Sequence, residues 1–325
     1  QYMDKIWLKN YPANVKHEID PNEYSSLTDL LTRAFQHHGD SPFSVCMERW
    51  MTYRELDQLS QALGAWFQAQ GLKPGDRVAL MLPNIPQFAV TMAAILRAGY
   101  TCVNVNPLYT ARELEHQLKD SGASAIVILE NFAHTLAEVI EHTQIKHTVL
   151  ASMGDLLGPV YGRWITFAVR HLAKMVPEFE LPLGENHKVT SFKHAIAAGR
   201  QQSFKAVPQT LDDIAFLQYT GGTTGVSKGA MLTHRNVLAN VTQVQNWIEP
   251  FLDKTQKLTS ITPIPLYHIY AMSTCFSFVG LGGTNVLVAD PRNMTQLIKI
   301  LRKYPFVSLP GVNTLFQGLV NHPDF

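Results

Sequence analysis

The sequence predicts an α/β protein of two α/β lobes, each with a mostly parallel sheet flanked by helices. Three observations support this fold class. Short apolar runs alternate with amphipathic stretches between residues 77 and 142, and the same alternation resumes after Leu211. A glycine-rich stretch over 219–230 directly follows one of the apolar runs. Such alternation is typical of parallel βαβ units with helices on both faces of the sheet.

The first lobe is predicted to comprise residues 1–210. Its first helix covers 55–70, where large apolar residues recur on one stripe and Gly71 ends the run. Pro86 opens a second helix that reaches Ala98, because the fixed φ of proline suits the first helical turn. The remaining strands predicted in this lobe are 77–82, 102–105 and 125–129. The remaining helices are 110–120, which begins with the capping-box pair Thr110 and Glu113, and 133–142.

The second lobe is predicted to comprise residues 211–325, by the same criteria of apolar runs and amphipathic stretches. Its predicted strands are 214–219, 258–263, 285–289 and 306–309, and its predicted helices are 234–247, 269–279, 294–304 and 314–321.

A segment of different character, 151–210, is inserted at the end of the first lobe and contains an amphipathic stretch over 160–176. At 100° per residue, Arg163, Arg170 and Lys174 fall within about 40° of one another. The opposite side is apolar and consists of Trp164, Ile165, Ala168, Val169, Leu172, Met175 and Val176. This pattern predicts either peripheral contact with the inner face of the cytoplasmic membrane or a helix that packs on its own domain.

Composition narrows the class of protein. The 325 residues are 46% hydrophobic, enough for an extensive core, and the net charge of +1 gives no electrostatic reason to bind nucleic acid. Cys46, Cys102 and Cys275 are scattered, with neither zinc-site spacing nor a disulfide framework. No uninterrupted apolar run reaches 18 residues and no secretory signal is evident, so we expect a cytoplasmic location.

The glycine-rich stretch is the strongest functional signal in the chain. It carries four glycines, three threonines, a serine and a lysine after the buried strand at Ile214–Leu217. Backbone N–H groups, hydroxyls and one cation in a short loop are the groups that grip an anionic ligand. We therefore predict a phosphate-binding loop, with an unliganded flexible loop as the alternative.

Two familiar phosphate loops do not fit this stretch. A Walker A loop requires Gly-Lys-Ser/Thr at its end, whereas Ser227 precedes Lys228 and Gly229 follows it. A dinucleotide fingerprint requires Gly-x-Gly-x-x-Gly near the start of a βαβ unit, with an acid about 20 residues further on. Neither that spacing nor a role for the lysine is found here.

The stretch resembles the phosphate-binding signature of the AMP-forming acyl-adenylate synthetases. Three other segments are similar to this family: 104–114, the Pro-Leu-Tyr-His run at 265–268, and Gly311-Val312-Asn313-Thr314, where Asn313 replaces the usual proline. The resemblance runs from about Trp7 to Phe325, and within the superfamily it is greatest to bacterial long-chain fatty acid–CoA ligases. It implies ATP-dependent activation of a long-chain fatty acid to acyl-AMP and transfer to coenzyme A.

The same resemblance implies the cofactors ATP, Mg²⁺ and coenzyme A and a set of site residues. Thr220 would help to hold Mg²⁺, and His268 would position the acyl carboxylate and the α-phosphate, although a lone histidine at a strand end is often only structural. Tyr267, Met272 and Gly311 would border the fatty acid. The ATP-binding residues implied are Tyr219, Thr220, Gly221, Gly222, Thr223, Thr224, Gly225, Val226, Ser227, Lys228, Gly229 and Ala230.

The chain lacks further motifs that the resemblance implies. A Tyr-Gly-x-Thr-Glu motif, a Thr-Gly-Asp aspartate and a lysine in a mobile C-terminal lid are not found after Gly311. We therefore expect this chain to be an N-terminal part of the enzyme, without the lid domain and with little ligase activity alone. Two other functions stay open: an acyl-adenylate synthetase with a carrier-protein thiol as acceptor, and a nucleotide- or lipid-binding remnant.

Overall fold

The computed structural model describes residues 4–221 and 225–325 and contains two sheets. The strands of this part are β1 (Pro42–Cys46), β2 (Arg49–Thr52), β3 (Arg77–Met81), β4 (Thr101–Asn104), β5 (Ala125–Leu129), β6 (His147–Ala151), β7 (Lys188–Ser191), β8 (Ile214–Thr220), β9 (Lys228–Thr233), β10 (Thr259–Thr262) and β11 (Thr284–Leu287). The larger sheet has the order β7-β6-β5-β3-β4-β8-β9, and the smaller has the order β10-β11-β1-β2.

Helices cover both faces of each sheet. They are α1 (Leu27–His38), α2 (Tyr53–Ala69), α3 (Pro86–Arg97), α4 (Ala111–Ser121), α5 (Ala133–Val139), α6 (Tyr161–Phe167), α7 (Phe192–Gly199), α8 (His234–Ile248), α9 (Ile269–Gly280), α10 (Met294–Lys303) and α11 (Asn313–Val320). Among the described residues, no helix has the length and apolar character needed to cross a bilayer.

Strand pairing is mostly parallel, as predicted, and the α/β fold class is confirmed. All neighbouring strands of the larger sheet are parallel except β8 and β9, which form an antiparallel pair. In the smaller sheet β10, β11 and β1 are parallel, and β2 returns antiparallel to β1. Parallel strands buried on both faces are near-continuously apolar. That is why 77–81 and 125–129 could be recognised as strands from the sequence.

The apolar core has three parts, one between the sheets and one on each outer face. Between the sheets, α3 packs on β3 and β4, α9 packs on β10 and β11, and α1 and α2 join them. On the outer face of the larger sheet, Leu114, Leu118 and Leu136 of α4 and α5 are fully buried. Leu297 and Leu319 of α10 and α11 cover the outer face of the smaller sheet. The protein is therefore built in five alternating layers of helices and strands.

The division of the chain at residue 210 does not coincide with the division between the sheets. β8 and β9, from the predicted second lobe, complete the larger sheet, with Cys102 beside Phe216. β1 and β2, which the sequence did not predict, complete the smaller sheet, with Ser44 beside Asn285. Strand partners so far apart along the chain leave no local signal, because only the tertiary fold brings them together.

The structure corrects the prediction for segment 160–176. A regular helix ends at Phe167, and 168–172 form a wider π-helical turn, so a fixed 100° per residue no longer applies. Arg170 turns inward to Glu130, while Lys174 has a left-handed φ of +51° after the helical turns. The three cations therefore do not form one basic face, and the aromatic side of the segment is exposed.

Candidate active site at the carboxyl edge of the larger sheet

The glycine-rich loop lies where the parallel strands β3, β4 and β8 end. These strands run in the same direction, so their last residues, Met81, Asn104 and Thr220, lie along one edge of the larger sheet. In open α/β sheets, ligands bind in the crevice outside the carboxyl ends of the strands. The loop between β8 and β9 is therefore at the edge where a ligand is expected.

The two ends of the loop face each other across an antiparallel pair. Thr220 lies opposite Lys228 in the register of β8 and β9, so both side chains project from the same face, and both are exposed. Tyr219 lies opposite Gly229, and a Cβ on Gly229 would come within 2.8 Å of the Tyr219 ring. Gly225 has a φ of +142°, which only glycine adopts readily.

The predicted residues Gly222, Thr223 and Thr224 lie outside the described part of the chain. The remaining predicted ATP-binding residues, 219–221 and 225–230, are contiguous with β8 and β9. A hydroxyl and an ammonium group thus flank the mouth of the loop, as a phosphate chain requires.

Helix α4 holds both ends of this loop. The Tyr219 hydroxyl donates to Asp120 Oδ2 at 2.6 Å, and His116 Nε2 lies 2.9 Å from the carbonyl oxygen of Ser227. The Ser227 hydroxyl donates back to the carbonyl of Thr220 at 3.0 Å, closing the loop on itself. Burial, and after it the hydrogen bond to Asp120, raises the pKa of Tyr219, so the phenol stays protonated and keeps donating.

A buried amide joins the loop to the Tyr267-His268 motif. Gln218, the residue before Tyr219, donates from Nε2 to the carbonyl oxygen of Tyr267 at 2.7 Å. Its Oε1 accepts a hydrogen bond of 3.1 Å from Asn104 Nδ2, at the end of β4. Gln218 is only 7% exposed, so these bonds are shielded from water. Gln218 and Tyr267 are 49 residues apart in the sequence, so the two motifs become neighbours only in the structure.

His268 stands at the start of α9 with its ring exposed. Its Nδ1 lies 3.4 Å from the backbone nitrogen of Tyr270 and accepts from it, which makes His268 the N-cap residue. In the neutral ring this leaves the proton on Nε2, able to donate to an oxygen outside the helix. Tyr267, half buried beside it, has a pKa raised mainly by burial and so stays protonated.

Met272 and Gly311, two of the residues predicted to border the fatty acid, lie away from the glycine-rich loop. Met272 is fully buried in the core between the sheets, and its Sδ lies 3.6 Å from Asn104 Nδ2. Residues 307–308 pair in parallel with β10 through backbone hydrogen bonds. The chain therefore leaves the smaller sheet toward Gly311 at the same end at which 263–268 leave β10. A Cβ on Gly311 would come within 2.5 Å of the Phe316 ring.

Asn313 occupies the first position of α11, with Val312 as N-cap. The N–H at this position has no partner within a helix, which is why proline is frequent there. Asn313 in place of the usual proline is thus compatible with a helix that begins at this residue.

Sequence reasoning missed the residues that hold the site together. Gln218, Asn104, His116 and Asp120 make the bonds described above, and only one of them had a visible signal. Gln218 is a polar residue inside the apolar strand Ile-Ala-Phe-Leu-Gln-Tyr-Thr, and a buried amide demands partners. The partners themselves lie more than 40 residues away and could not be identified from spacing.

The donor set fits a nucleotide phosphate chain better than a metal ion. Within residues 4–221 and 225–325, Lys228 forms no ion pair, and no cluster of three or more His, Cys, Asp or Glu side chains could hold a metal. Thr220 offers one hydroxyl. Mg²⁺ in nucleotide sites keeps several waters and is shared with phosphate oxygens and carboxylates. The described residues would therefore bind Mg²⁺ only as part of a metal–nucleotide complex.

The fold and the site define the class of protein: a layered α/β protein with a phosphate-type loop at the carboxyl edge of its main sheet. A family model described as "AMP-binding enzyme" matches residues 31–325. The chain therefore belongs to the AMP-binding enzyme family, and the resemblance found in the sequence is confirmed.

Relatives within this family match almost the entire chain. A long-chain-fatty-acid–CoA ligase of Salmonella typhimurium is 48% identical over 325 residues, covering 99% of this chain and 57% of the relative. The ligase of the same name from Bacillus subtilis is 30% identical, covering 98% of this chain and 56% of the relative. The chain thus spans somewhat more than half the length of these relatives.

Solved structures support the fold at low identity. A long-chain-fatty-acid-CoA ligase from Archaeoglobus fulgidus superimposes with a TM-score of 0.74 at 23% identity, covering 96% of this chain and 56% of that one. An anthranilate CoA ligase in complex with anthranoyl-AMP gives a TM-score of 0.73 at 17% identity, covering 94% of this chain and 54% of the other.

Proposed function

We propose that this chain supplies the ATP- and fatty-acid-binding part of an ATP-dependent long-chain fatty acid–CoA ligase. The observation that carries the proposal is the Gln218–Tyr267 hydrogen bond of 2.7 Å, which joins the phosphate-type loop to the segment bearing His268. The names of the relatives up to 48% identical support the substrate class. The proposed products are acyl-CoA, AMP and pyrophosphate.

The first step joins two anions, so the protein must offset charge. An oxygen of the fatty acid carboxylate attacks the α-phosphorus of ATP, and the bond from that phosphorus to the β-phosphate oxygen breaks, releasing pyrophosphate. Negative charge grows on the leaving group, and preorganised donors aimed at it lower the barrier. Lys228 and the Thr220 hydroxyl, opposite each other at the loop mouth, are the described groups that meet this charge.

His268 acts in this proposal as a positioning residue. A carboxylate nucleophile carries no proton that must be removed, so no general base is required. With Nδ1 engaged by the Tyr270 N–H, Nε2 is the donor left to orient an oxygen of the carboxylate or the α-phosphate. The buried Gln218–Asn104 pair fixes the backbone on which His268 stands.

Mg²⁺, when bound with ATP, neutralises phosphate charge and polarises the reacting phosphoryl group. We assign Thr220 as the described residue nearest to this role, because its hydroxyl lies beside Lys228 at the loop mouth. The remaining ligands would be phosphate oxygens, waters and a carboxylate.

The fatty acid is proposed to lie along α9. Behind His268, this helix carries buried Met272, Cys275 and Phe276 on one side and small Ser273 and Ser277 between them. Gly311 and Tyr267 would border the carboxylate end. In the second step, the sulfur of coenzyme A attacks the acyl carbonyl and AMP leaves. A carrier-protein thiol is the alternative acceptor, and it has no observation in its favour here.

We also propose that the segment 160–176 touches the membrane, with the protein in the cytoplasm. Its apolar side chains face solvent: Val160 is 76% exposed, Trp164 55% and Leu172 62%. Trp164 and Phe167 stack at 6.0 Å between ring centroids on the same exposed side. An exposed aromatic row flanked by basic residues is the composition of an interfacial helix.

The test of the ligase proposal is fatty-acid-dependent exchange of pyrophosphate into ATP by the full-length protein. Lys228→Ala is expected to lower kcat/KM by about 100-fold, because a charged donor to the leaving group is lost. Lys205→Ala, which removes another exposed lysine, one whose backbone bonds Gln68 of α2 and not the loop, serves as the matched control. Normal exchange by Lys228→Ala would refute the role of the loop, and exchange without need of a fatty acid would refute the substrate class.

A further inference from the structure

A cavity of about 440 Å³ opens beside the start of segment 160–176. It lies between β2, α2, α7 and the loop that leads into α6. Its walls combine three cations with one aromatic residue and two carboxylates. The residues of interest are Arg49, Trp50, Asp155, Pro159, Lys193 and Arg200. None of them takes part in the candidate active site.

The cations in the lining of this cavity outnumber its carboxylates, and the charge of Lys193 acts on the nearby Asp155. Arg49 pairs with Glu55 at 3.5 Å between Nη2 and Oε1. Lys193 and Arg200, at the start and the end of α7, form no ion pair with any carboxylate in the described ranges. Asp155 is the one acidic lining residue besides Glu55, and burial raises its pKa to about 6. Two unpaired cations thus face a shared space, a setting that attracts an anion.

The cavity is continuous with the exposed apolar row. Pro159 lines the cavity, and Val160, the next residue, begins the row. Arg163 donates from Nε to the carbonyl of Pro159 at 2.7 Å, which holds its guanidinium close to the rim. Trp50, the aromatic residue in the cavity lining, is 47% exposed. Tryptophan at the level of lipid headgroups is typical of membrane interfaces.

We propose that this cavity binds the phosphate headgroup of an anionic phospholipid and so docks segment 160–176 on the bilayer. Lys193 and Arg200 contact the phosphate, while Trp164 and Phe167 enter the boundary between headgroups and acyl chains. This inference rests on the proposed membrane contact and adds the partner: an anionic lipid surface. Lysine and arginine near such a surface each add to binding, and a phosphate held between them fixes the orientation of the protein.

The experiment is sedimentation of the full-length protein with phosphatidylcholine vesicles that contain or lack phosphatidylglycerol. The double variant Lys193→Gln with Arg200→Gln is expected to bind the anionic vesicles about 10- to 30-fold more weakly than the wild type. The matched control is Lys205→Gln with Lys257→Gln, which loses the same charge from exposed lysines outside the cavity. Equal losses in both double variants would overturn the headgroup site, since only general attraction would then operate.

A variant that is expected to strengthen vesicle binding keeps the inference testable if the double variant unfolds. Asp155→Asn removes the negative wall charge and is expected to strengthen binding to the anionic vesicles at pH 7.5. Weaker or unchanged binding would contradict the site. A lipid source is distinguished from a free anion by thermal stabilisation: short-chain phosphatidylglycerol should stabilise the protein more than the same concentration of inorganic phosphate, and equal effects would overturn the lipid assignment.

A further variant distinguishes the headgroup site from the membrane contact of segment 160–176 itself. Trp164→Ser with Phe167→Ser is expected to weaken binding to both kinds of vesicle. If this variant loses binding while the Lys193/Arg200 variant behaves like its control, the membrane contact stands and the headgroup site falls. If the wild type sediments with neither kind of vesicle, both are refuted.

Discussion

At the scale of single residues, buried polar side chains decide where the elements of the site lie. Gln218 has both amide atoms paired, one with Asn104 and one with the carbonyl of Tyr267. His234, 2% exposed, accepts the backbone N–H of Leu27 at Nδ1, 3.0 Å away, and so fixes α8 against α1. Such groups are costly to bury unless every partner is present, so each specifies one arrangement.

His234 should make the stability of the protein depend on pH. Burial lowers its pKa to about 4, against 6.5 in an unfolded chain. A depressed histidine pKa stabilises the fold above pH 6.5, and this contribution is lost as the unfolded state takes up the proton between pH 6.5 and 4. We expect the wild type to lose about 2 kcal/mol more than His234→Asn between pH 7 and pH 5, measured by urea unfolding.

The comparison with His234→Asn isolates the histidine, because asparagine retains an acceptor near the Nδ1 position and does not titrate. Other groups, including Asp155 with its raised pKa, contribute equally to both proteins. Parallel pH profiles for the two proteins would contradict the buried neutral histidine.

At this scale the sequence indicated where the glycine-rich loop lies, but not the hydrogen bonds that hold its ends. The loop could be predicted because its glycines, hydroxyls and Lys228 are contiguous in the chain. Asp120 and His116 could not, since they reach the loop from α4, about 100 residues earlier. A hydrogen-bond partner at that separation leaves no trace in local composition.

At the scale of elements, one ion pair in segment 160–176 determines which side of the segment faces the protein, in contrast to the basic face predicted from the helical periodicity. Arg170 donates from Nε and Nη2 to the carboxylate of Glu130, with bonds of 2.9 and 2.7 Å, and from Nη2 to the Ser152 hydroxyl. Glu130 has a side chain only 8% exposed, so its charge needs this partner. Arg170 must therefore point at the body of the protein, and the apolar side of the segment faces outward.

Loss of Arg170 should loosen this segment and destabilise the fold. Arg170→Ala leaves the Glu130 carboxylate buried without its cation, which is expected to cost about 3 kcal/mol in the free energy of unfolding. Hydrogen exchange of the amides over 161–172 should accelerate as well. Urea unfolding and exchange measured by mass spectrometry would record the two effects.

Arg163→Ala is the matched control for this experiment, since Arg163 bonds only the Pro159 carbonyl in the described structure. It should cost well under 1 kcal/mol. Adding Glu130→Gln to Arg170→Ala should restore part of the lost stability by removing the unpaired charge. Similar unfolding curves for Arg163→Ala and Arg170→Ala would show that the bond from Arg170 to the buried Glu130 does not hold the segment.

At the scale of the whole molecule, the two sheets are interlocked through distant segments. Asn84, in the turn after β3 of the larger sheet, is 3% exposed. Its Nδ2 donates to the carbonyls of Thr262 and Ile264, and its Oδ1 accepts from the N–H of Leu266. One side chain thus satisfies three backbone groups of the turn that leads to Tyr267 and His268.

Asn84→Ala should weaken both the connection between the sheets and the candidate site. Three buried backbone groups would lose their partners, at an expected cost of about 2–4 kcal/mol. The urea midpoint should fall, and amides over 262–270 should exchange faster. Asn106→Ala is the control, because the Asn106 side chain, among the described residues, accepts only the N–H of Leu108 within its own turn, at 2.9 Å. If both variants lose the same stability, Asn84 is not the link between the sheets.

The alternation of strands and helices and the family could be predicted from the sequence, because contiguous residues indicate both. The glycine-rich loop was correctly placed after β8, and its phosphate binding stays a prediction. Most predicted elements agree with the structure to within a few residues, including β5 at Ala125–Leu129 and the Thr110–Glu113 capping box. Tertiary structure alone decided that β1 and β2 join a sheet with β10 and β11, and that Gln218 meets Tyr267. It also turned Arg170 inward. These outcomes depend on pairing and burial between distant segments, which only the folded chain brings into contact.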